Sequence, residues 1–167
     1  SLKKYMALVY GRNSLIGLIW FELRTVLLAN IPGALGIVLR KKLYGSMFGA
    51  MGRDTVIGKG VTIRHPHRIR LGDNVVIDDN AVLDGKGDRE VSIQIGDDSI
   101  VGRNSILSCK QQGDEQSGRI VLGERVNISV NCTLLSESEL VIGSKTLIAG
   151  HVYMIAGGNH GLDRVDI

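Results

Sequence analysis

From residue 51 onwards, aliphatic residues recur at every sixth position. They fall into five groups of three: Met51, Ile57 and Ile63; Leu71, Ile77 and Leu83; Ile95, Val101 and Leu107; Leu122, Ile128 and Leu134; Ile142, Ile148 and Met154. Short repeats of this kind cannot bury an apolar edge alone and must stack on copies of themselves. The pattern predicts an all-β solenoid, a parallel β-helix in which each group supplies one three-sided coil.

The spacing between groups predicts where the solenoid carries its loops. A glycine follows the first member of every group, and successive first members are 20, 24, 27 and 20 residues apart. Three six-residue units, which we call hexads, account for most of each interval, and every extra residue falls after the third hexad. The insertions are 65–70, a stretch around 85–91, one around 110–119, and 136–139. They should all leave one corner of the prism, where stacked loops often form a site.

A second corner should carry a ladder of turn residues. The fourth position of the middle hexad turns the chain and favours residues that tolerate positive φ. This position holds Gly60, Asn80, Asn104, Asn131 and His151. Asn131 and His151 therefore each have a structural explanation, independent of any function.

Composition supports a solenoid with an unusual leader. The chain has 22 glycines, 2 prolines and 4% aromatic residues, as short strands joined at tight corners require. Residues 1–50 contain seven Lys or Arg residues against Glu22, a local charge of +6 within a total of +3. These basic residues alternate with aliphatic ones and lack aromatic stacking groups, which argues against nucleic acid as a partner. Cys109 and Cys132 suggest no disulfide framework, and no secretory signal is apparent, so a cytoplasmic location is expected.

The leader is also the most apolar part of the chain. Its runs at 14–21 and 25–39 are shorter than the ~20 residues needed to span a bilayer, and Glu22, Arg24 and Pro32 interrupt them. A pair of helices is predicted. They either cap the open end of the solenoid or bind the inner face of the cell membrane peripherally through residues 1–45, with Trp20 at the boundary.

The four histidines differ in what surrounds them. His65 and His67 lie in the first corner loop and are expected to be solvated, although an alternating pair could bind metal. His160 lies in a glycine-rich stretch, residues 157–164, that begins the next corner loop. A histidine beside a rigid wall has the position and exposure that a general base needs.

The hexads, together with the ending NHGLDRVDI, resemble the hexapeptide-repeat acyltransferases. The resemblance covers residues 51–167 and lies with the sugar O-acetyltransferase branch, which includes galactoside, maltose and polysaccharide acetyltransferases. It implies a left-handed parallel β-helix, acetyl-CoA as acyl donor, no required metal, and a homotrimer with sites between subunits. The expected reaction transfers an acetyl group to a hydroxyl of a sugar or polysaccharide precursor.

The resemblance also implies roles for individual residues. His160 matches the family's general base, and Asn131, in the segment NISVN, matches the asparagine that holds the acceptor sugar. Asn159 and Asp163 flank the histidine and could orient it or the sugar. Ligands of coenzyme A are not assigned, because family members continue past the histidine loop into further coils, whereas this sequence ends at Ile167.

Two domains are therefore expected: a helical segment over 1–50 and an acyltransferase β-helix over 51–167, truncated at its C-terminus. Two other functions stay open. One is a zinc enzyme similar to the γ-class carbonic anhydrases, with His151 and His160 as ligands. The other is a hexapeptide-repeat scaffold without catalytic activity.

Overall fold

The structure, a computed structural model, describes residues 1–110 and 117–157. It begins with three helices, α1 to α3, at Leu2–Val9, Leu15–Leu28 and Gly33–Tyr44. Fifteen short strands follow, β1 to β15: Ala50–Met51, Val56–Ile57, Thr62–Arg64, Ile69–Leu71, Val76–Ile77, Val82–Asp84, Ile93–Ile95, Ile100–Val101, Ile106–Cys109, Arg119–Leu122, Asn127–Ile128, Thr133–Ser136, Glu139–Ile142, Leu147–Ile148 and Tyr153–Ala156. One 3₁₀ turn, Pro66–Arg68, lies between β3 and β4.

Every third strand joins the same sheet, so the strands form three parallel five-stranded faces. The first face contains β1, β4, β7, β10 and β13, and the second and third faces follow in the same way. We call the fifteen aliphatic residues of the six-residue pattern the grid residues. The register pairs each grid residue with its equivalent in the next coil, as with Met51 and Leu71, and Ile128 and Ile148. The predicted all-β solenoid with an N-terminal helical segment is confirmed, with about five coils.

The grid residues form the core of the prism. Thirteen of the fifteen are buried, and several, including Ile57 and Leu107, are completely inaccessible. Met51 and Met154 are half-buried and pack against this core. Both lie in end coils of the described solenoid, where only one neighbouring coil stacks on them.

The corners explain the polar part of the hexad. The predicted ladder, Gly60, Asn80, Asn104, Asn131 and His151, has φ between 57° and 69° throughout. We call this the ladder corner. Glycine in the second position of a hexad has a steric reason, since a Cβ on Gly96 would lie 2.6 Å from the backbone of Gly123 in the next coil. All inserted segments leave the remaining corner, where the strands of the third face end, and we call this the loop edge.

The helical segment has three helices, not the predicted pair. Glu22 and Arg24 interrupt the apolar run but do not end the helix, because a charged side chain costs a helix little when it reaches the surface. The chain breaks instead before Pro32, whose ring cannot continue the helix. Across residues 1–110 and 117–157, no helix is both long and apolar enough to cross a bilayer.

Arg40 of α3 joins the helices to the first coil. Its side chain is 1% exposed and donates three hydrogen bonds to backbone carbonyls: from Nε to Ile57 at 2.8 Å, and from Nη1 to Leu28 at 2.9 Å and Ile31 at 2.8 Å. Burial lowers the pKa of this guanidinium. A single cation thus satisfies carbonyls from the end of α2, from the turn after it and from β2.

Candidate functional site

The loop edge remains tightly packed up to the last described residue. The Ala156 carbonyl accepts hydrogen bonds from the backbone N–H groups of Glu137 at 2.7 Å and Ser138 at 3.2 Å. Gly157 has φ 122°, and a Cβ there would lie 2.6 Å from the Cβ of Glu137. The chain is therefore held against the preceding coil immediately before the predicted histidine loop.

The proposed catalytic residue follows directly. His160, Asn159 and Asp163 lie outside the described residues, so their roles stay predictions. At the loop edge of the neighbouring coils, Lys110 Nζ pairs with the Glu137 carboxylate at 3.2 Å. The residue pattern gives no signal for this ion pair, because the two residues are 27 positions apart in sequence.

Asn131 lies on the ladder corner, at the opposite edge of the third face. Its Oδ1 accepts a hydrogen bond from Asn104 Nδ2 at 3.1 Å, and its Nδ2 contacts His151 Nε2 at 3.3 Å. The side chain is exposed, and an amide can make four hydrogen bonds. Asn131 is therefore a rung of the ladder that keeps hydrogen-bonding capacity for a ligand.

The structure does not bring Asn131 to the loop edge within one chain. The third face separates the two corners, with β15 leading from His151 to Gly157. At a rise of about 3.3 Å per residue, these six residues span up to about 20 Å. A site that combines Asn131 with His160 would be assembled most directly from two chains.

His65 departs from the expectation of a solvated loop, because α1 covers it. The imidazole is 2% exposed and lies 3.1 Å from Asp84 Oδ1 through Nδ1 and 3.0 Å from the Ala7 carbonyl through Nε2. Each ring nitrogen therefore lies within hydrogen-bonding distance of a protein oxygen, and His65 attaches α1 to the loop edge.

His67 is half-buried beside it. Burial, followed by the charges of Arg12, Arg68 and His65, lowers the pKa of His67 to about 4. Its Nδ1 is buried and has no hydrogen-bond partner among the described residues. The ring is therefore neutral at physiological pH and a weak base.

Neither cysteine provides a nucleophile. Cys109 and Cys132 are 1% and 0% exposed, and burial raises the pKa of the Cys109 thiol to about 12. Cys132 Sγ donates to the Ala149 carbonyl at 3.1 Å. Because the thiolate is the reactive form, these thiols are structural residues.

No cluster of three His, Cys, Asp or Glu side chains suited to a metal ion is found in the part of the chain that the structure describes. The Nε2 of His151, one of the two ligands considered for zinc, faces the Asn131 amide instead.

Comparison with known proteins supports the fold. No family model and no curated protein matches the sequence. Among solved structures, the chain is similar to a hexapeptide-repeat-containing acetyltransferase from Vibrio cholerae O1 biovar eltor, complexed with acetyl coenzyme A. The match has a TM-score of 0.64 and 17% sequence identity, and it covers 92% of this chain and 88% of that one. It is also similar to a maltose O-acetyltransferase from Clostridium difficile 630, with a TM-score of 0.61 and 16% sequence identity, and this match covers 90% of this chain and 87% of that one. The resemblance to the hexapeptide-repeat fold is confirmed.

Proposed function

We propose that this chain is an O-acetyltransferase that transfers an acetyl group from acetyl-CoA to a hydroxyl of a sugar or polysaccharide precursor. The observation that carries the proposal is the single loop edge, which leads directly into the glycine-rich segment containing His160. The two similar structures add support, since one was solved with acetyl coenzyme A and the other is a maltose O-acetyltransferase.

The proposed mechanism is direct transfer. His160 removes the proton from the acceptor hydroxyl as its oxygen attacks the thioester carbonyl. The carbon–sulfur bond then breaks, and the protonated imidazole can return its proton to the departing thiolate. A covalent acyl-enzyme is not needed, which agrees with the inaccessibility of both thiols. Asn131 would hold the acceptor, and Asn159 and Asp163 would orient it or the histidine.

The site is proposed to lie between the subunits of a homotrimer. Within one chain, the third face separates Asn131 from the loop edge, so Asn131 of one chain would meet His160 of the next. Outward-facing apolar side chains on the fifth coil support a subunit contact: Leu147 is 70% exposed and Tyr153 63%. Tyr153 and Ile155, which are both exposed, could also contact the pantetheine arm of acetyl-CoA.

The test measures coenzyme A release from acetyl-CoA with a panel of sugars. Replacing a general base typically costs about 10²- to 10⁴-fold, so His160→Ala should lose at least about 100-fold in kcat. His67→Gln, which replaces a histidine in the first coil away from the proposed site, is the control and should retain most of the activity. Equal turnover by wild type and His160→Ala would contradict the assignment of the base.

Two controls separate the alternatives. Absence of acetyl-CoA binding and of turnover would favour the scaffold interpretation. Bound zinc, together with hydration of carbon dioxide that a chelator abolishes, would favour the zinc enzyme.

We also propose that α2 binds the surface of an anionic membrane, on the cytoplasmic face. Every exposed residue of this helix is apolar: Leu15, Ile16, Ile19, Trp20, Leu23, Val26 and Leu27. With 14 residues the helix is too short to span a bilayer, but it can lie in the interface with these side chains in the acyl region. The basic surroundings favour anionic lipid over a second copy, which would bring another segment of charge +6 against the first.

Vesicle binding tests this contact. The intact protein should sediment with vesicles of phosphatidylcholine and phosphatidylglycerol, and more weakly with phosphatidylcholine alone. Ile16→Ser with Leu27→Ser should abolish the binding, whereas Val141→Ser, an exposed apolar residue on the first face, should not. Vesicle binding that the double variant leaves unchanged would contradict the proposal.

A further inference from the structure

A cleft of about 400 Å³ lies between α1 and the first two segments of the loop edge. Its walls come from α1, from residues 11–13, from the turn that contains His65 and Arg68, and from the next segment at Lys86 and Gly87. Pockets that bind small molecules have volumes of roughly 300–1,000 Å³. The cleft therefore has the size of a ligand site and lies outside the proposed transfer site.

The position of the walls is fixed by close packing. Gly11 has φ 75°, and a Cβ on it would collide with the His65 ring. The contacts of His65 with Ala7 and with Asp84 join α1 to the loop edge. These contacts hold the basic residues of the leader against the solenoid.

Four cations line the cleft: Lys3, Arg12, Arg68 and Lys86. They come from four separate positions in the sequence, and none forms an ion pair with a carboxylate in the described part of the chain. Arg68 is half-buried, and burial lowers the pKa of its guanidinium although Asp88 acts in the opposite direction. A partly desolvated guanidinium without a close acceptor favours an anionic partner.

The acidic groups nearby do not neutralise the cleft. Asp84 is 13% exposed and is engaged by His65 and by Arg64, which lies outside the cleft. Asp88 is exposed, and a hydrogen bond involving Ser117 lowers its pKa. Four cations thus remain facing one concave surface, with neutral surroundings at Met6, Ala7 and Asn13.

We propose that this cleft binds a phosphate or diphosphate ester. Tetrahedral anions accept several hydrogen bonds at once, and a guanidinium between ammonium groups supplies matching donors. Arg68 and Lys86 are the central ligands, because both are half-buried and both are positioned by the loop edge. The site does not depend on acetyl transfer and can be tested without it.

The experiment titrates the intact protein with inorganic pyrophosphate by calorimetry at about 0.15 M salt. Wild type should show saturable binding to one site. Arg68→Gln and Lys86→Gln should each weaken it by about 10-fold, and the double variant by about 100-fold, the scale of charge-assisted hydrogen bonds. Lys59→Gln removes the same charge from the ladder corner of the first coil and should change affinity by less than about twofold.

The contrary results are clear. Absence of saturable binding, or an equal loss in Lys59→Gln, would show only diffuse attraction and overturn the proposal. Thermal melting checks that the variants fold. Lys86→Gln remains informative if Arg68→Gln does not fold, because the Lys86 side chain forms no hydrogen bond or ion pair with the described residues.

Three further titrations identify the source of the ester: coenzyme A, a sugar 1-phosphate, and vesicles containing phosphatidic acid. A soluble ester that loses affinity in the double variant identifies a free ligand. A loss confined to the vesicles identifies a lipid headgroup. If the double variant binds all three as wild type does, the cleft is not a phosphate site.

Discussion

The side-chain amide of Asn104 donates a hydrogen bond to Oδ1 of Asn131, 3.1 Å away in the next coil. Asn131 continues the chain of contacts to His151 in the fifth coil. One residue of this ladder is thus both a structural link and the proposed acceptor ligand. The two roles can be separated, because Asn104 occupies the same position one coil earlier.

Asn131→Gly and Asn104→Gly form a matched pair. Glycine tolerates the positive φ of both sites, so each variant loses side-chain hydrogen bonds without backbone strain. Both should lose about 0.5–2 kcal/mol of stability in urea titrations. Only Asn131→Gly should raise KM for the acceptor, by about 10-fold or more, in steady-state kinetics. An equal rise in Asn104→Gly would mean that Asn131 acts only through the ladder.

Mixed trimers test whether a site uses two chains. With the acceptor well below its KM, Asn131→Gly should retain about a tenth of wild-type activity and His160→Ala about a hundredth. After unfolding and refolding together in equal amounts, one site in each mixed trimer would combine an intact Asn131 with an intact His160. About a quarter of wild-type activity should return if trimers form at random. Activity that stays at the level of the separate variants would place both residues in one chain's site.

Arg40→Met should destabilise the junction between the helices and the solenoid. Methionine fills similar space but leaves the carbonyls of Leu28, Ile31 and Ile57 without their donor. Buried acceptors that lose a charged donor cost about 1–3 kcal/mol each, so a total loss of about 3 kcal/mol or more is expected in urea unfolding. Lys42→Met, on the exposed surface of the same helix, should change stability by less than about 0.5 kcal/mol.

His67 should make stability depend on pH. Burial lowers its pKa from 6.5 to about 4 in the folded chain, so between these values the unfolded chain binds more protons. Stability should therefore fall as the pH falls through this window and level off above it. Urea titrations at about pH 7.5 and pH 4.5 should show a smaller acid loss in His67→Gln than in wild type. An identical loss in both proteins would assign the effect to other groups.

The sequence could predict the solenoid because each coil repeats the same local requirement. Ile128 must be aliphatic in order to stack between Val101 and Ile148, and Asn131 must tolerate positive φ. Such requirements recur at a fixed interval, so they are visible in the sequence without knowledge of which distant residues are in contact. Even the edge that carries the loops follows from the residues left over between repeats.

The helical segment was less predictable because its contacts are not periodic. The burial of His65 depends on Ala7, which is 58 residues away in sequence. The cleft that is proposed to bind a phosphate ester likewise combines Lys3 with Lys86, and no local sequence pattern associates these two residues. Four cations that are separated in sequence, and a glycine at positive φ, become a site only when α1 packs against the loop edge.

The loop edge also determines how this protein can change in length. An extra residue within a hexad would shift every later side chain to the wrong face, whereas one between Ser136 and Glu139 leaves the register intact. Length variation is therefore tolerated at one corner and opposed at the other two. A peptide tag or reporter group inserted there would face solvent beside the proposed site, and the same freedom lets acceptor specificity diverge without disturbing the core.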